Sequence, residues 1–155
     1  MRFTEKILSN IIHVFFGITR PMTIGVRCII HDGAGSVILV RHTYISGWHL
    51  PGGGVEVGEV CESALIREIV EECRIEITDK PVLFGVYLNS VVSARDHIIL
   101  YVSNSWNYKQ DLPSKRLEIA DLAMFDLTDL PINIDPSTRQ RLDEWSGITE
   151  TALIW

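Results

Sequence analysis

Residues 53–75 read GGVEVGEVCESALIREIVEECRI, and the rest of the 155-residue chain is best interpreted outward from them. Between Glu62 and Arg74, Leu65, Ile69 and Cys73 recur at every fourth position with Ala64 beside them, which predicts a helix with one apolar face. Ser63 and the glutamates before it suit the positive end of its dipole. Glu68 and Glu72 lie four apart, and Glu68 and Glu71 three apart, so on a helix the three carboxylates leave from one side. Like charges at that spacing destabilise an isolated helix. A solvated acidic face is the plain explanation. Against it, only Arg67 and Arg74 are at hand to offset the cluster.

Just upstream runs Trp48-His49-Leu50-Pro51-Gly52-Gly53-Gly54, which has no room for regular structure. Its glycines let backbone carbonyls approach an ion with no side chain in the way. Three carboxylates beside such a bend suit a hard divalent cation. Mg²⁺ takes oxygen ligands and keeps waters and substrate phosphates in its shell.

The charge distribution points the same way. The net charge is −6, and residues 55–76 hold seven glutamates against two arginines. Residues 1–50 carry five basic and two acidic residues. An acidic chain is a poor holder of a nucleic-acid backbone, so no nucleic acid duplex is expected as partner. So dense a cluster of carboxylates in one segment suits bound divalent cations, which would supply the missing positive charge.

An apolar content of 46% and this length predict one folded domain. Three cysteines without CxxC spacing fit neither a disulfide framework nor a zinc site, which suggests a cytoplasmic protein. Residues 7–18 are largely apolar, with Ile7, Leu8, Ile11, Ile12 and Phe15 at helical spacing. Twelve residues are too few to span a bilayer. The segment is therefore read as an N-terminal helix over 1–20 packed on the domain. Membrane-surface or homodimer contact are its alternative uses, and of these membrane contact is not expected.

Further strands are predicted at Met22–Ile30 and Val37–Arg41, joined as a hairpin by Asp32-Gly33-Ala34-Gly35. Two more are expected at Val82–Leu88 and His97–Val102, and a fifth at Ala120–Leu127. Lys109–Lys115 reads as a loop around Pro113. Pro136–Trp145 reads as a helix capped by Asp135. Strands and helices without strict alternation indicate an α+β or layered α/β/α domain.

Gly53 to Ile75 resembles the Nudix box, Gly-x5-Glu-x7-Arg-Glu-U-x-Glu-Glu-x-Gly-U with U aliphatic. It matches at every defining position except the last glycine, which is Arg74. The resemblance implies a Nudix-type α/β/α sandwich with a mixed sheet over residues 21–155. It implies hydrolysis of a phosphoanhydride in a nucleoside diphosphate linked to another moiety, a small-molecule partner. Carried over by position, Glu68, Glu71 and Glu72 would ligate Mg²⁺ or Mn²⁺, with the Gly53 carbonyl or its neighbour's completing the shell. Glu68 would also activate water. Arg67 would orient a glutamate by ion pairing, and Glu59 would support from outside.

A further acid outside the box serves some members, and Glu118, Asp121 and Asp96 are the candidates here. Subfamilies acting on ADP-ribose or diadenosine polyphosphates carry a proline or tyrosine in the stretch that here is Ser90–Ser93, which has neither. Arg41, Arg27 and Trp48 are candidate substrate contacts, with a surface ion pair equally open for Arg41 and a core or rim place the plainer reading of Trp48, ahead of stacking on a nucleobase. Tyr44 is weighed in the same way as Trp48. His49 reads as a structural hydrogen-bonder. Arg74 stands where a positive φ is easy for glycine, at a cost of about 1 kcal/mol if that backbone is kept. A Nudix-fold nucleotide binder without catalysis is the alternative function.

Overall fold

The structure, a computed structural model, describes residues 21–109 and 118–155, together with residues 17 and 111. The helix expected over 1–20 lies, but for Gly17, outside the described residues, as does most of the loop around Pro113.

Strand β1 (Thr23–Ile30) is buried on both faces, with Val26, Cys28, Ile29 and Ile30 wholly inaccessible. A strand covered on both sides suits a parallel pairing inside a layered fold. β1 indeed runs parallel to β5 (Asp96–Ser103), with Thr23 opposite Asp96 and Arg27 opposite Leu100. β4 (Val82–Leu88) pairs antiparallel on the other side of β5. A second, two-stranded sheet joins β2 (Ser36–His42) to β7 (Ile119–Asp126), with an irregularity between Arg41 and His42.

The expected β1–β2 hairpin is therefore corrected. The tight turn exists, with Asp32 N–H donating to Ser36 O and a single bridge between His31 and Val37. Beyond it the two strands part into different sheets, because each finds a longer partner elsewhere in the chain. Two short strands that the sequence pattern did not reveal, β3 (Ile75–Ile77) and β6 (Trp106–Tyr108), form a third antiparallel pair. Three residues are too few for a period-2 signal.

Helix α1 (Cys61–Cys73) lies on one side of the sheets and α2 (Pro136–Trp145) on the other. Strand alternation sorts the core between them. Val26, Cys28 and Ile30 of β1, with Ile38 and Val40 of β2, pack against Ala64, Leu65, Ile69 and Cys73 of α1. Ile29, Val37 and Leu39 face the opposite way, onto Trp48 and Leu142. Burying Leu65 and Ile69 contributes about 1.5–3 kcal/mol each. This is the α/β/α sandwich anticipated from sequence.

α2 begins as expected. Asp135 accepts the Thr138 N–H at 2.8 Å, with Pro136 in the first turn. α1 has no side-chain cap at Val60 and ends at Arg74, whose φ of 55° and ψ of 38° are left-handed. Arg74 is the one non-glycine with positive φ among the described residues. The helix end that glycine favours is thus kept with arginine in it. Among the described residues, no helix is long and apolar enough to cross a membrane.

Candidate active site

A cleft of about 510 Å³ opens over the N-terminal half of β1, between the glycine-rich bend and the turn before β5. The bend runs alongside β1. Cys28 N–H donates to Pro51 O, Val26 N–H to Gly53 O, and Val55 N–H to Ile24 O. Glycine is required twice here for lack of space. A Cβ on Gly52, whose φ is +141°, would collide with the Val26 carbonyl, and a Cβ on Gly53 would collide with the Glu68 carboxylate.

The helix brings two of its glutamates to this cleft. Glu68 and Glu72 both line it, and both are more than nine-tenths buried. Glu72 accepts the Gly52 N–H at 2.8 Å and stands 3.9 Å from His42 Nε2. Glu71 flanks the cleft without lining it, 3.9 Å from Arg67.

Arg67 ties the acidic group together. Its Nε and Nη2 each donate to a Glu59 oxygen at 2.9 Å, its Nη1 to Glu68 at 2.6 Å, and its Nη2 to Gly54 O at 3.1 Å. A two-pronged guanidinium–carboxylate pair fixes orientation as well as charge. The Arg67 hydrogen bonds hold the Glu59 carboxyl at about 2, helped by the Glu56 N–H, against an ordinary value of 4.5. The same pairing pushes the Arg67 guanidinium further up.

Burial of two carboxylates at one opening, against backbone with no Cβ between, suits a hard cation with oxygen ligands. Among the described residues no three His, Cys, Asp or Glu side chains converge closely enough to hold a metal ion as they stand. Arg67 occupies one oxygen of Glu68, and the Gly53 carbonyl already accepts from Val26.

The other candidates separate clearly. Arg27 lines the cleft, its Nη1 donating to Val26 O at 2.9 Å. Glu118 lines it too, placed by Thr43 N–H donating to its carbonyl. Tyr44 lines the cleft and is exposed, with His42 beside it. Trp48, offered as a base contact, is instead a core residue packed edge-on against Phe125. Arg41 lies outside the cleft and pairs with Asp121 at 3.2 Å, so neither it nor Asp121 reaches the site. The alternation of β2 sends His42 inward and Arg41 the other way. His49 hydrogen-bonds Ser46 O and also lines the cleft.

Three cleft residues carry no local sequence signal in common: Thr23, Asn89 and Asp96. Only the parallel register of β1 and β5 brings Thr23 to Asp96, across 73 positions.

Comparison with known proteins places the fold. The NUDIX domain family model matches residues 21–145. The chain belongs to the Nudix family. A curated Bacillus subtilis (strain 168) protein named "Putative 8-oxo-dGTP diphosphatase" is 40% identical over 50 residues. That match spans 32% of this chain and 34% of the relative's length. The MutT NUDIX hydrolase from Burkholderia pseudomallei superposes with a TM-score of 0.67 at 25% identity, covering 78% of this chain and 95% of that one. The E. coli ORF135 protein superposes with a TM-score of 0.65 at 21% identity, covering 84% and 92%.

Proposed function

We propose that this protein is a metal-dependent pyrophosphohydrolase acting on a small nucleotide, a nucleoside diphosphate linked to another moiety. The observation that carries the reading is the joint presence in one cleft of Glu68, Glu72, the Gly53 backbone and Arg27. The name of the Bacillus subtilis relative supports a nucleotide diphosphatase. Residues 21–155 are taken as one Nudix domain. The pairing of Leu153 and Trp155 with Leu88 supports including that segment in it.

In this reading Glu68, Glu71 and Glu72, with the Gly53 carbonyl, would hold Mg²⁺ or Mn²⁺. Such an ion, when bound, neutralises phosphoryl charge and lowers the pKa of its water. The chain's own residues do the rest. Glu68 takes a proton from the attacking water as the water oxygen bonds to phosphorus, and the P–O bond to the leaving phosphate breaks with its electron pair going to that phosphate. Arg67, anchored by Glu59, orients Glu68. Arg27 faces the phosphates, and Glu118 and Asp96 are further acids at the opening.

The case for a non-catalytic binder rests on Arg74 and on the apolar N-terminal segment; the second lies outside the described residues, and Arg74 holds the left-handed conformation that a glycine there would take. A screen of nucleoside triphosphates and nucleotide sugars with Mg²⁺ or Mn²⁺, with product identification, tests the proposal. Metal-dependent cleavage at an anhydride is expected. A folded protein that turns over none of them would refute it.

A further inference from the structure

Two segments frame the mouth of the cleft, 43–47 after β2 and 89–95 between β4 and β5, and Tyr44, Ile45 and Val92 from them line it. Exposed loops are where charged side chains ordinarily gather, and 22% of this chain is charged. Together the two segments carry a single charge, Arg95. Their large side chains are apolar or aromatic and stand in solvent. Tyr44 is 72% exposed, Val91 88% and Val92 74%. Ile45, Met22 just before β1 and Ile24 within it are exposed as well. Ile24 also lines the cleft, so three segments of chain bring an apolar collar to one opening.

The collar is held in place. The Asn89 carbonyl accepts the Val92 and Ser93 N–H groups, and Asp96 N–H donates to Ser93 O. Asn89 Nδ2 donates to Asp96 Oδ2 at 2.8 Å, and Thr23 Oγ1 donates to Asp96 Oδ1 at 2.6 Å. These bonds close the base of the turn and leave Val91 and Val92 at its tip. Single exposed valines are ordinary, but apolar residues gathered at one place mark an interaction surface.

We propose that this collar docks on an anionic phospholipid bilayer. Among the described residues Arg95 bonds through its backbone alone, so its exposed guanidinium is available to a lipid phosphate. Tyr44 joins an apolar ring to a polar tip, which suits the headgroup level. Residues 1–20 meet the collar at Pro21; their sequence is largely apolar over 7–18 and carries Arg2, Lys6 and Arg20 against Glu5. That composition suits the same surface. Twelve residues cannot span a bilayer, but docking on one leaflet needs no span, and the expectation of no membrane contact is reversed here. A protein partner would have to match a rim broken by a polar cleft of about 510 Å³, whereas fluid acyl chains conform to it.

The test is co-sedimentation of the full chain with vesicles of phosphatidylcholine and phosphatidylglycerol, and with vesicles of phosphatidylcholine alone. Wild type should bind the anionic vesicles at least about fivefold more tightly than the neutral ones. Val91→Ser combined with Val92→Ser should weaken that binding at least about tenfold, because two side chains no longer gain from leaving water. Arg95→Gln should weaken it about fivefold, on the anionic vesicles only. All three side chains are exposed, and an unchanged thermal midpoint shows that the fold is kept.

No sedimentation of wild type with either vesicle would overturn the proposal. Undiminished binding by the double-valine variant would also overturn it, and would assign membrane contact to residues 1–20 alone. A wild-type dimer that the same variant dissociates, without vesicle binding, would assign the collar to a second copy of the chain. Hydrolysis is measured separately on soluble nucleotides, so either property can fail without the other.

Discussion

Two arginines anchor carboxylates on opposite sides of the sheets, and their surroundings differ in kind. Arg141 of α2 is wholly buried and pairs with a buried Glu144 at 2.7 Å. Glu144 also accepts from the Tyr87 hydroxyl and Ala152 N–H, while Arg141 donates to Ile154 O and lies over the Tyr87 ring. One cation meets one anion, and burial beside Glu144 pushes the Tyr87 phenol up to about 12.

Arg67 of α1 is instead one cation among Glu59, Glu68 and Glu71, at the edge of a cleft that Glu72 also lines. The balanced cluster fastens the C-terminal segment to the fold. The unbalanced one leaves negative charge facing an opening, an arrangement that costs stability unless a ligand of positive charge is expected there. Folding and chemistry are served by the same residue types, and the local charge count tells them apart.

The sharpest way to break this comparison is to neutralise one residue in each cluster. Glu68→Gln should lower turnover by roughly 10²–10⁴-fold while the thermal midpoint changes little, as expected for loss of a proton acceptor. Steady-state kinetics beside thermal unfolding checks both halves. Arg141→Met should do the reverse. It leaves Glu144 buried without its cation, at a cost of about 3–5 kcal/mol measured by urea unfolding. Turnover per folded molecule should stay near wild type.

A smaller effect is expected at the end of α1. Arg74→Gly should stabilise the fold by about 1 kcal/mol, because the left-handed backbone there is free of penalty for glycine. A loss of stability in urea would show that the arginine side chain contributes something its backbone conformation conceals.

The smallest effect is tied to pH. The Glu59 carboxyl is lowered from 4.5 to about 2 in the folded chain, so its pairing stabilises fully above 4.5. That stabilisation is lost as pH falls through the window down to about 2. Wild type should therefore lose its advantage over Glu59→Gln across this range, as read from urea midpoints at pH 5 and 3.

Local pattern made α1 and its carboxylates legible in the sequence, because an apolar period and an i, i+4 charge spacing are properties of a dozen contiguous residues. The Asp135 cap and Pro136 did the same for α2. The pairing of β1 was not legible. Asp32–Gly35 forms a real turn, and nothing within it tells that the flanking strands separate. The meeting of Thr23 with Asp96 was hidden for the same reason. Thr23 and Asp96 meet only through a parallel pairing of distant segments. Arg41 looked like a ligand contact by residue type, yet strand alternation turns it away from the opening toward Asp121, and packing against Phe125 takes Trp48 into the core.

The central claim is that the acidic end of the cleft holds a divalent cation. Titration of Mn²⁺ into wild type and Glu72→Gln, followed by the electron paramagnetic resonance of free Mn²⁺, addresses it without any substrate. The amide oxygen introduced by that substitution can still accept the Gly52 N–H, so the fold is retained. Wild type should bind Mn²⁺, and the variant should bind it at least about tenfold more weakly. Equal affinity in the two proteins, or no binding by wild type, would contradict the account.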